Sequence, residues 1–281
     1  MKKILFAIPI LSMALASCDP QTDGGDATAV IDATSLTNNL KISAKSEGNN
    51  NLTVYTDPSL YIWVYDATTN AKLGSGTAVS VQIVPPAREV SLYVETIGND
   101  GQRVKSSAKS INVSEFTDLP AVYDAIFDGD GHGNFNTTKW GWDTDDANGV
   151  WGNGAYQESG GPDWWKVYAD GIDEQAESRN LPDDGADGWF TLSLTEGVTT
   201  SRGETGTVKV TADNVKAGWD IGTITFDGTI PLFGIQVNNG NVRQYTYQIL
   251  VADGTYLHLS ACQPHQTWDW GTAWFWNYKK K

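Results

Sequence analysis

Residues 139–165 read KWGWDTDDANGVWGNGAYQESGGPDWW, and the rest of the chain is read outward from them. Five of the twelve tryptophans of the 281-residue chain fall in this stretch, interleaved with six glycines and with Asp143, Asp145, Asp146, Glu158 and Asp163. Glycine at this density costs too much backbone entropy for a helix, and Trp140 and Trp142 recur at the strand period of two. An aromatic face beside carboxylates is what holds a sugar ring, whose C–H groups pack on an indole while its hydroxyls are hydrogen-bonded at the edge. Tryptophan is equally an ordinary sandwich-core residue, so each one has to be assigned individually.

On either side the pattern stays β. Residues 121–281 carry alternating segments at 140–143, 150–156, 164–168, 188–194, 205–211, 219–226, 231–237, 244–251, 256–261 and 273–278. Ten short strands without a strong helical pattern predict a larger, jelly-roll-like β-sandwich. In the last of them Trp274, Trp276 and Tyr278 alternate with Ala273, Phe275 and Asn277, so one face is aromatic and is expected to lock the sandwich. Residues 27–115 form a first unit with segments at 40–44, 52–55, 61–65, 79–83, 90–94 and 104–113, each bounded by Gly, Asn, Asp or Pro, as in a small β-sandwich. Trp63, between Ile62 and Val64, is expected to be buried there. Residues 114–124 read as a connector with a short helical turn after Pro120. The predicted fold is therefore all-β, with two successive sandwiches.

The first unit resembles the PKD type of immunoglobulin-like domain through its Trp-bearing strand YIWVYD (61–66) and the paired strands within 79–101. The Phe-Gly-Asp-Gly turn of that type is replaced here by residues 66–72. Such domains mostly act as spacers, so reach and presentation are expected of this one.

The N-terminus is a separate object. Lys2 and Lys3 precede an apolar run from Ile4 to Ala14, which is too short to span a bilayer, and then Leu15-Ala16-Ser17-Cys18. The arrangement resembles the lipobox of bacterial lipoproteins, with residues 1–17 as signal peptide and Cys18 as the lipidated residue. Residues 18–26 are a polar tether; acidic residues after the lipidated Cys resemble an export signal to the outer face in lipoproteins of Gram-negative polysaccharide-degrading bacteria.

Removing residues 1–17 leaves 17 basic against 34 acidic residues, a formal charge of −17. So acidic a chain argues against nucleic acid and against electrostatic attachment to anionic lipid. Membrane association then rests on acyl chains. Cys262 is the only other cysteine, which leaves neither an intrachain disulfide nor a Cys-based metal site. It is read as a core strand residue.

The string KWGWD, WGNG, GPDWW and the terminal AWFWNYKKK resembles the C-terminal domain of surface lipoproteins in Sus-type glycan-utilisation systems. It is similar to surface glycan-binding proteins, which hold polysaccharide for an outer-membrane transporter and perform no chemistry. The resemblance implies polysaccharide or oligosaccharide as partner, anchoring at the cell-surface face of the outer membrane, and association with a transporter complex.

Aromatic residues in Gly- and acid-flanked turns are the candidate glycan platforms: Trp142, Trp151, Trp164, Trp165, Trp268 and Trp270, with Asp143, Asp145, Gln157, Asp163 and Asp269 as hydroxyl partners. Trp140, Trp189, Trp219, Trp274 and Trp276 are assigned to the core. Trp164 and Trp165 are adjacent on a strand and so point to opposite faces, whereas Trp268 and Trp270 share one.

Two alternatives stay open. A glycoside hydrolase-like jelly-roll enzyme needs two carboxyls, about 5–5.5 Å or about 6.5–9.5 Å apart. The nearest candidates are Glu158, Asp163, Asp173, Glu174 and Glu177, but the run 173–177 has the wrong first residue for the Glu-x-Asp-x-x-Glu of family 16 and reads as a polar loop. His132, His258 and His265 sit in no nucleophile motif. An adhesin or assembly subunit gripping a protein partner would also expose tryptophan. No catalytic residue and no cofactor is assigned. Asp128, Asp130 and Asn134 are weak candidates for a structural Ca²⁺, because the twelfth position from Asp128 is Lys139 where an EF-hand needs Glu.

Overall fold

The computed structural model describes residues 31–131, 133–145 and 147–281. Cys18, the signal peptide, the tether, His132 and Asp146 lie outside the described residues.

The first unit opens with helix α1 (Ala33–Asn39), whose start is fixed by a capping box. Asp32 Oδ1 accepts from the Ser35 N–H at 2.7 Å, and Ser35 Oγ accepts from the Asp32 N–H at 3.0 Å. Strands β1 (Leu40–Ala44), β2 (Asn51–Thr56), β3 (Ile62–Asp66), β4 (Lys72–Gly76), β5 (Ala78–Gln82), β6 (Arg88–Ile97), β7 (Arg103–Lys105) and β8 (Lys109–Val113) follow. Two antiparallel sheets result, one ordered β1-β2-β5 and the other β4-β3-β6, with β7 and β8 succeeding each other along the far edge of β6. Period-two alternation sends Leu52, Val54, Val79 and Val81 from the first sheet, and Ile62, Val64, Leu92 and Val94 from the second, into a shared core. The same alternation corrects the expectation for Trp63. With Ile62 and Val64 inward, Trp63 stands half-buried on the outer face. The expected single segment 104–113 is two strands, and β4 starts at Lys72, at the end of the stretch that replaces the Phe-Gly-Asp-Gly turn.

The helical turn after Pro120 extends into α2 (Ala121–Phe127), which buries Val122, Tyr123, Ile126 and Phe127 in the core of the second unit. The Tyr123 hydroxyl donates to the Val210 carbonyl at 2.7 Å.

The second unit contains β9 (Thr138–Trp142), β10 (Trp151–Ala155), β11 (Trp165–Val167), α3 (Ile172–Ser178), β12 (Phe190–Ser193), β13 (Gly197–Thr200), β14 (Thr205–Thr211), β15 (Gly222–Asp227), β16 (Ile235–Gln236), β17 (Val242–Arg243), β18 (Thr246–Ala252), β19 (Tyr256–Cys262) and β20 (Thr272–Lys280). Strand β13 has no counterpart among the expected segments, and the segment 231–237 reduces to β16, which pairs only with β17. The run 173–177 belongs to α3 rather than to a polar loop. The chain is all-β, and its larger sandwich takes the form of a sheet closed on itself. Strands β12, β13, β14, β15, β18, β19 and β20 follow one another as neighbours, and β9 pairs with both β12 and β20. One edge of β20 is shared: β9 takes Tyr278 to Lys280, and β10 takes Thr272 to Trp276.

The interior of this closed sheet is aromatic. Trp274, Trp276 and Tyr278 all point inward and meet Trp151, Tyr247, Phe190 and Phe233. Burying aromatic side chains of this size dominates the energetics of such a core. The indole of Trp276 and the hydroxyl of Tyr278 are satisfied by the Phe233 and Leu232 carbonyls, each at 2.6 Å. The segment carrying those carbonyls is held by a buried charge network that nothing in the sequence announces. Asp184 accepts from the Phe233 N–H at 2.8 Å and from Arg202 Nη1, while Arg202 also donates to the Ile230 carbonyl. Arg243 grips Glu204 with both Nη atoms, at 3.1 and 2.5 Å. That fork and Thr229 hold the Glu204 carboxyl down to about 2, whereas burial pushes Asp184 up against the pull of Arg202.

Candidate functional site

The tryptophans separate sharply. Trp142 and Trp151, expected as platforms, are buried, and this corrects their assignment. Trp140 and Trp142 share the inward face of β9, since residues two apart on a strand point the same way. The Trp142 indole donates to the Asp184 carbonyl at 2.9 Å and its ring lies 5.3 Å from Phe233. Trp151 stacks on Trp274 at 5.0 Å. The glycine beside it suggests an exposed turn. A Cβ at Gly152 would instead lie 2.0 Å from the Trp165 carbonyl, so Gly152 answers to the close approach of β11.

Trp140, Trp274 and Trp276 are core residues, as expected. Trp189 and Trp219 are only half-buried, a second correction. Trp189 lies under the Lys139 ammonium at 4.3 Å, and the Trp219 indole donates to the Ser159 carbonyl at 2.8 Å. Cys262 is half-buried against Tyr156, Ala273 and Phe275 on the outer face of the closed sheet.

Four tryptophans stand in solvent: Trp270 (65% exposed), Trp268 (62%), Trp164 (52%) and Trp165 (39%); Trp164 precedes β11 rather than lying on it, so the strand parity expected to send it and Trp165 to opposite faces does not apply. Trp165 turns its edge to Trp151 and Trp274, at 5.5 and 5.9 Å, and so extends the interior indole stack to the surface.

The loop after β10 crosses the outer face of β19 and β20 and is held at several points. Ser159 Oγ accepts from the Ala155 N–H at 3.0 Å and donates to Asp163 Oδ2 at 3.3 Å. Lys216 Nζ donates to the Gln157 carbonyl at 2.8 Å and to Glu158 at 2.6 Å. Beneath this loop opens a cleft of about 610 Å³ whose lining includes Asn148, Asp163, Lys166, His258, Trp270 and Asn277.

Trp270 enters this cleft from the loop before β20. Its φ is 61°, in the left-handed region that a bulky side chain rarely occupies. The conformation is retained because the Trp270 N–H donates to the Tyr156 carbonyl at 3.0 Å, while the Tyr156 N–H donates to the Gly271 carbonyl at 2.8 Å. Backbone outliers at mostly exposed bulky side chains such as Trp270 gather at ligand sites.

No family model and no curated protein matches this chain.

The expected hydroxyl partners separate too. Asp163 lines the cleft, and so does Glu158, a residue that the sequence offers only as a catalytic candidate. Asp143 is buried, with His258 Nε2 3.8 Å from its Oδ2, and so is withdrawn from direct contact with ligand. Asp145 is exposed but ion-paired with Lys279 at 2.6 Å. Gln157 is half-buried, and Asp269 is exposed between Trp268 and Trp270. Trp268 stands outside the lining, because the turn at Trp270 breaks the strand alternation that would have put both on one face.

Sequence reasoning does not find Lys166, Asn148, His258 or Asn277 as site residues. Asn277 and His258 are brought in by the register of β19 on β20, where they pair directly on the outer face. The one signal available is Asn277, the polar member of the Ala273, Phe275, Asn277 alternation.

In the weak Ca²⁺ candidate, Asp130 accepts from Asn134 Nδ2 at 2.7 Å, and Lys280 pairs with Asp128, holding its carboxyl below the usual range. Among the described residues no group of three or more His, Cys, Asp or Glu side chains converges as a metal site. Likewise among them, no helix is long and apolar enough to cross a membrane.

Proposed function

We propose that this chain is a surface lipoprotein that holds polysaccharide without transforming it, through indole platforms at the cleft of its second unit, on behalf of a glycan-uptake system. The observation that carries this reading is Trp270: 65% exposed, in left-handed backbone, at the rim of a cleft whose other walls are polar. A sugar ring laid on that indole meets Asp163, Asn148 and Lys166 with its hydroxyls, the division of labour expected of a carbohydrate site. Trp164, Trp165 and Trp268 lie in the flanking segments and provide further stacking faces for an extended chain.

The non-catalytic reading is supported by the state of the carboxylates. Glu158 is committed to Lys216, and Asp163 accepts from Ser159. Attachment at the outer membrane rests on the lipobox at Cys18. Electrophoresis of residues 19–281 through gels containing soluble polysaccharides tests the reading. Retardation by a neutral polysaccharide that weakens in Trp270→Ala, with an unchanged melting temperature, is the expected result. Equal mobility of the wild type in every polysaccharide gel would overturn it.

A further inference from the structure

The outer face of a half-buried antiparallel sheet is ordinarily polar. On the β4-β3-β6 sheet of the first unit aromatic rings stand on it instead. Tyr61, just before β3, and Trp63 and Tyr65 within it are turned outward; on β6, Tyr65 pairs with the buried Tyr93, Trp63 pairs with Glu95, and Ile97 ends the strand exposed. The rings are ordered against one another. Tyr65 stacks on Tyr93 at 5.0 Å with 9° between planes, and Tyr61 meets Trp63 edge-on at 5.5 Å. Tyr61 is 54% exposed and Ile97 is exposed beside it.

Cations bracket this surface. Arg103 lies over Trp63 at 4.7 Å and Lys105 over Tyr93 at 3.8 Å, both projecting from the edge strand β7, and exposed Lys72 pairs with Tyr65 across β4. Glu95 is the one carboxylate among the named residues of the patch; it accepts from Arg103 at 2.8 Å. The Arg103 side chain remains 58% exposed, and its fork carries five N–H donors. On a chain with a formal charge of −15, Lys72, Arg103 and Lys105 stand beside these rings, with Glu95 paired to Arg103.

We propose that this face is a second binding surface, specific for a carboxylate-bearing polysaccharide, that is, a polymer of uronic acids. The Tyr61 ring supplies the stacking face for the sugar. Arg103 and Lys105 receive its carboxylates, Arg103 in the bidentate geometry its planar fork favours. The charge complementarity selects against a neutral glycan, and the need for ring stacking selects against an acidic peptide. The surface is independent of the Trp270 cleft: it lies on another unit, shares no residue with it, and makes the first unit more than a spacer.

Affinity electrophoresis of residues 19–281 distinguishes these alternatives, with polygalacturonate, hydroxyethylcellulose and poly-L-glutamate as probes. The wild type is expected to be retarded by polygalacturonate. The Arg103→Gln/Lys105→Gln double variant and, separately, Tyr61→Ala are expected to lose affinity for it about tenfold or more, as when charge-assisted hydrogen bonds are removed. Trp270→Ala retains polygalacturonate binding at this surface, so failure of the cleft reading and failure of this one are distinguishable. Thermal melts confirm folding, and Tyr61 is exposed enough that its truncation leaves the unit intact. The proposal is overturned by a wild type that polygalacturonate does not retard, by variants that bind it as the wild type does, or by poly-L-glutamate binding as tightly through the same residues.

Discussion

The Trp270 N–H and the Tyr156 carbonyl, 3.0 Å apart, join an indole standing in solvent to a tyrosine buried against Phe275. Through this bond the loop before β20 and the loop after β10 act as one frame around the cleft, and Trp270 is positioned by backbone rather than by packing of its own ring.

That arrangement separates binding from stability. Trp270→Ala is expected to cost about 1–3 kcal/mol of glycan binding, by analogy with aromatic stacking of nucleic-acid bases, with little change in melting temperature. Trp270→Gly is expected to lose binding to the same extent and to raise the melting temperature, because glycine adopts φ near 61° without strain. Affinity electrophoresis and calorimetric melts of the two variants check this. A melting temperature that falls in Trp270→Gly would show the side chain to be structural.

Trp142 and Trp151 behave in the opposite way. Truncation of either to Ala removes a buried indole and is expected to cost about 3–5 kcal/mol of stability. Urea unfolding monitored by fluorescence measures the loss, and a change of less than about 1 kcal/mol in either variant would contradict the core assignment.

Acid acts on the Arg243–Glu204 fork. The folded carboxyl is held at about 2 against an ordinary 4.5, so its contribution is complete above 4.5 and is lost as the pH falls through that window. Asp184 has the opposite sign, because burial raises its value and the folded state keeps its proton longer. Comparing wild type with Glu204→Gln isolates the first effect. The gap between their melting temperatures is expected to close from about pH 5 to about pH 2, and a gap independent of pH would refute the assignment.

Anchoring is tested at Cys18. Cys18→Ala is expected to release the protein from the membrane fraction. Retention of that variant after a carbonate wash would show that something other than acyl chains holds it.

Much of the β architecture is legible because period-two alternation survives locally in each strand. Leu52 and Val54, or Trp274 and Trp276, announce their face without knowledge of any partner. What alternation does not carry is register. Asn277 and His258 belong to the cleft because β19 lies beside β20 in one alignment, and Trp142 is covered by Tyr278, Phe233 and the segment at Asp184. Local composition misleads where glycine has two meanings: Gly152 marks a close backbone approach, whereas Gly160 lies in an exposed turn leading to Trp164. The parity of Trp140 and Trp142 is written in the sequence and by itself assigns them to one face. By the same parity, an inward Ile62 and Val64 turn Trp63 outward.

The shared edge of β20 has a kinetic meaning. Its pairing with β9 brings Lys280 beside Trp140, and its pairing with β10 brings Trp276 beside Trp151, so both seams of the closed sheet depend on one strand far along the chain from its partners. Contacts so distant in sequence form late, after the entropy of closing long loops has been overcome. Until β20 docks, β9 has β12 on one side alone and β10 has β11 on one side alone, and the interior around the indoles stays open between them. The cleft at Trp270 is lined by Asn277 of β20 and His258 of β19, so it is complete only once β20 lies in register.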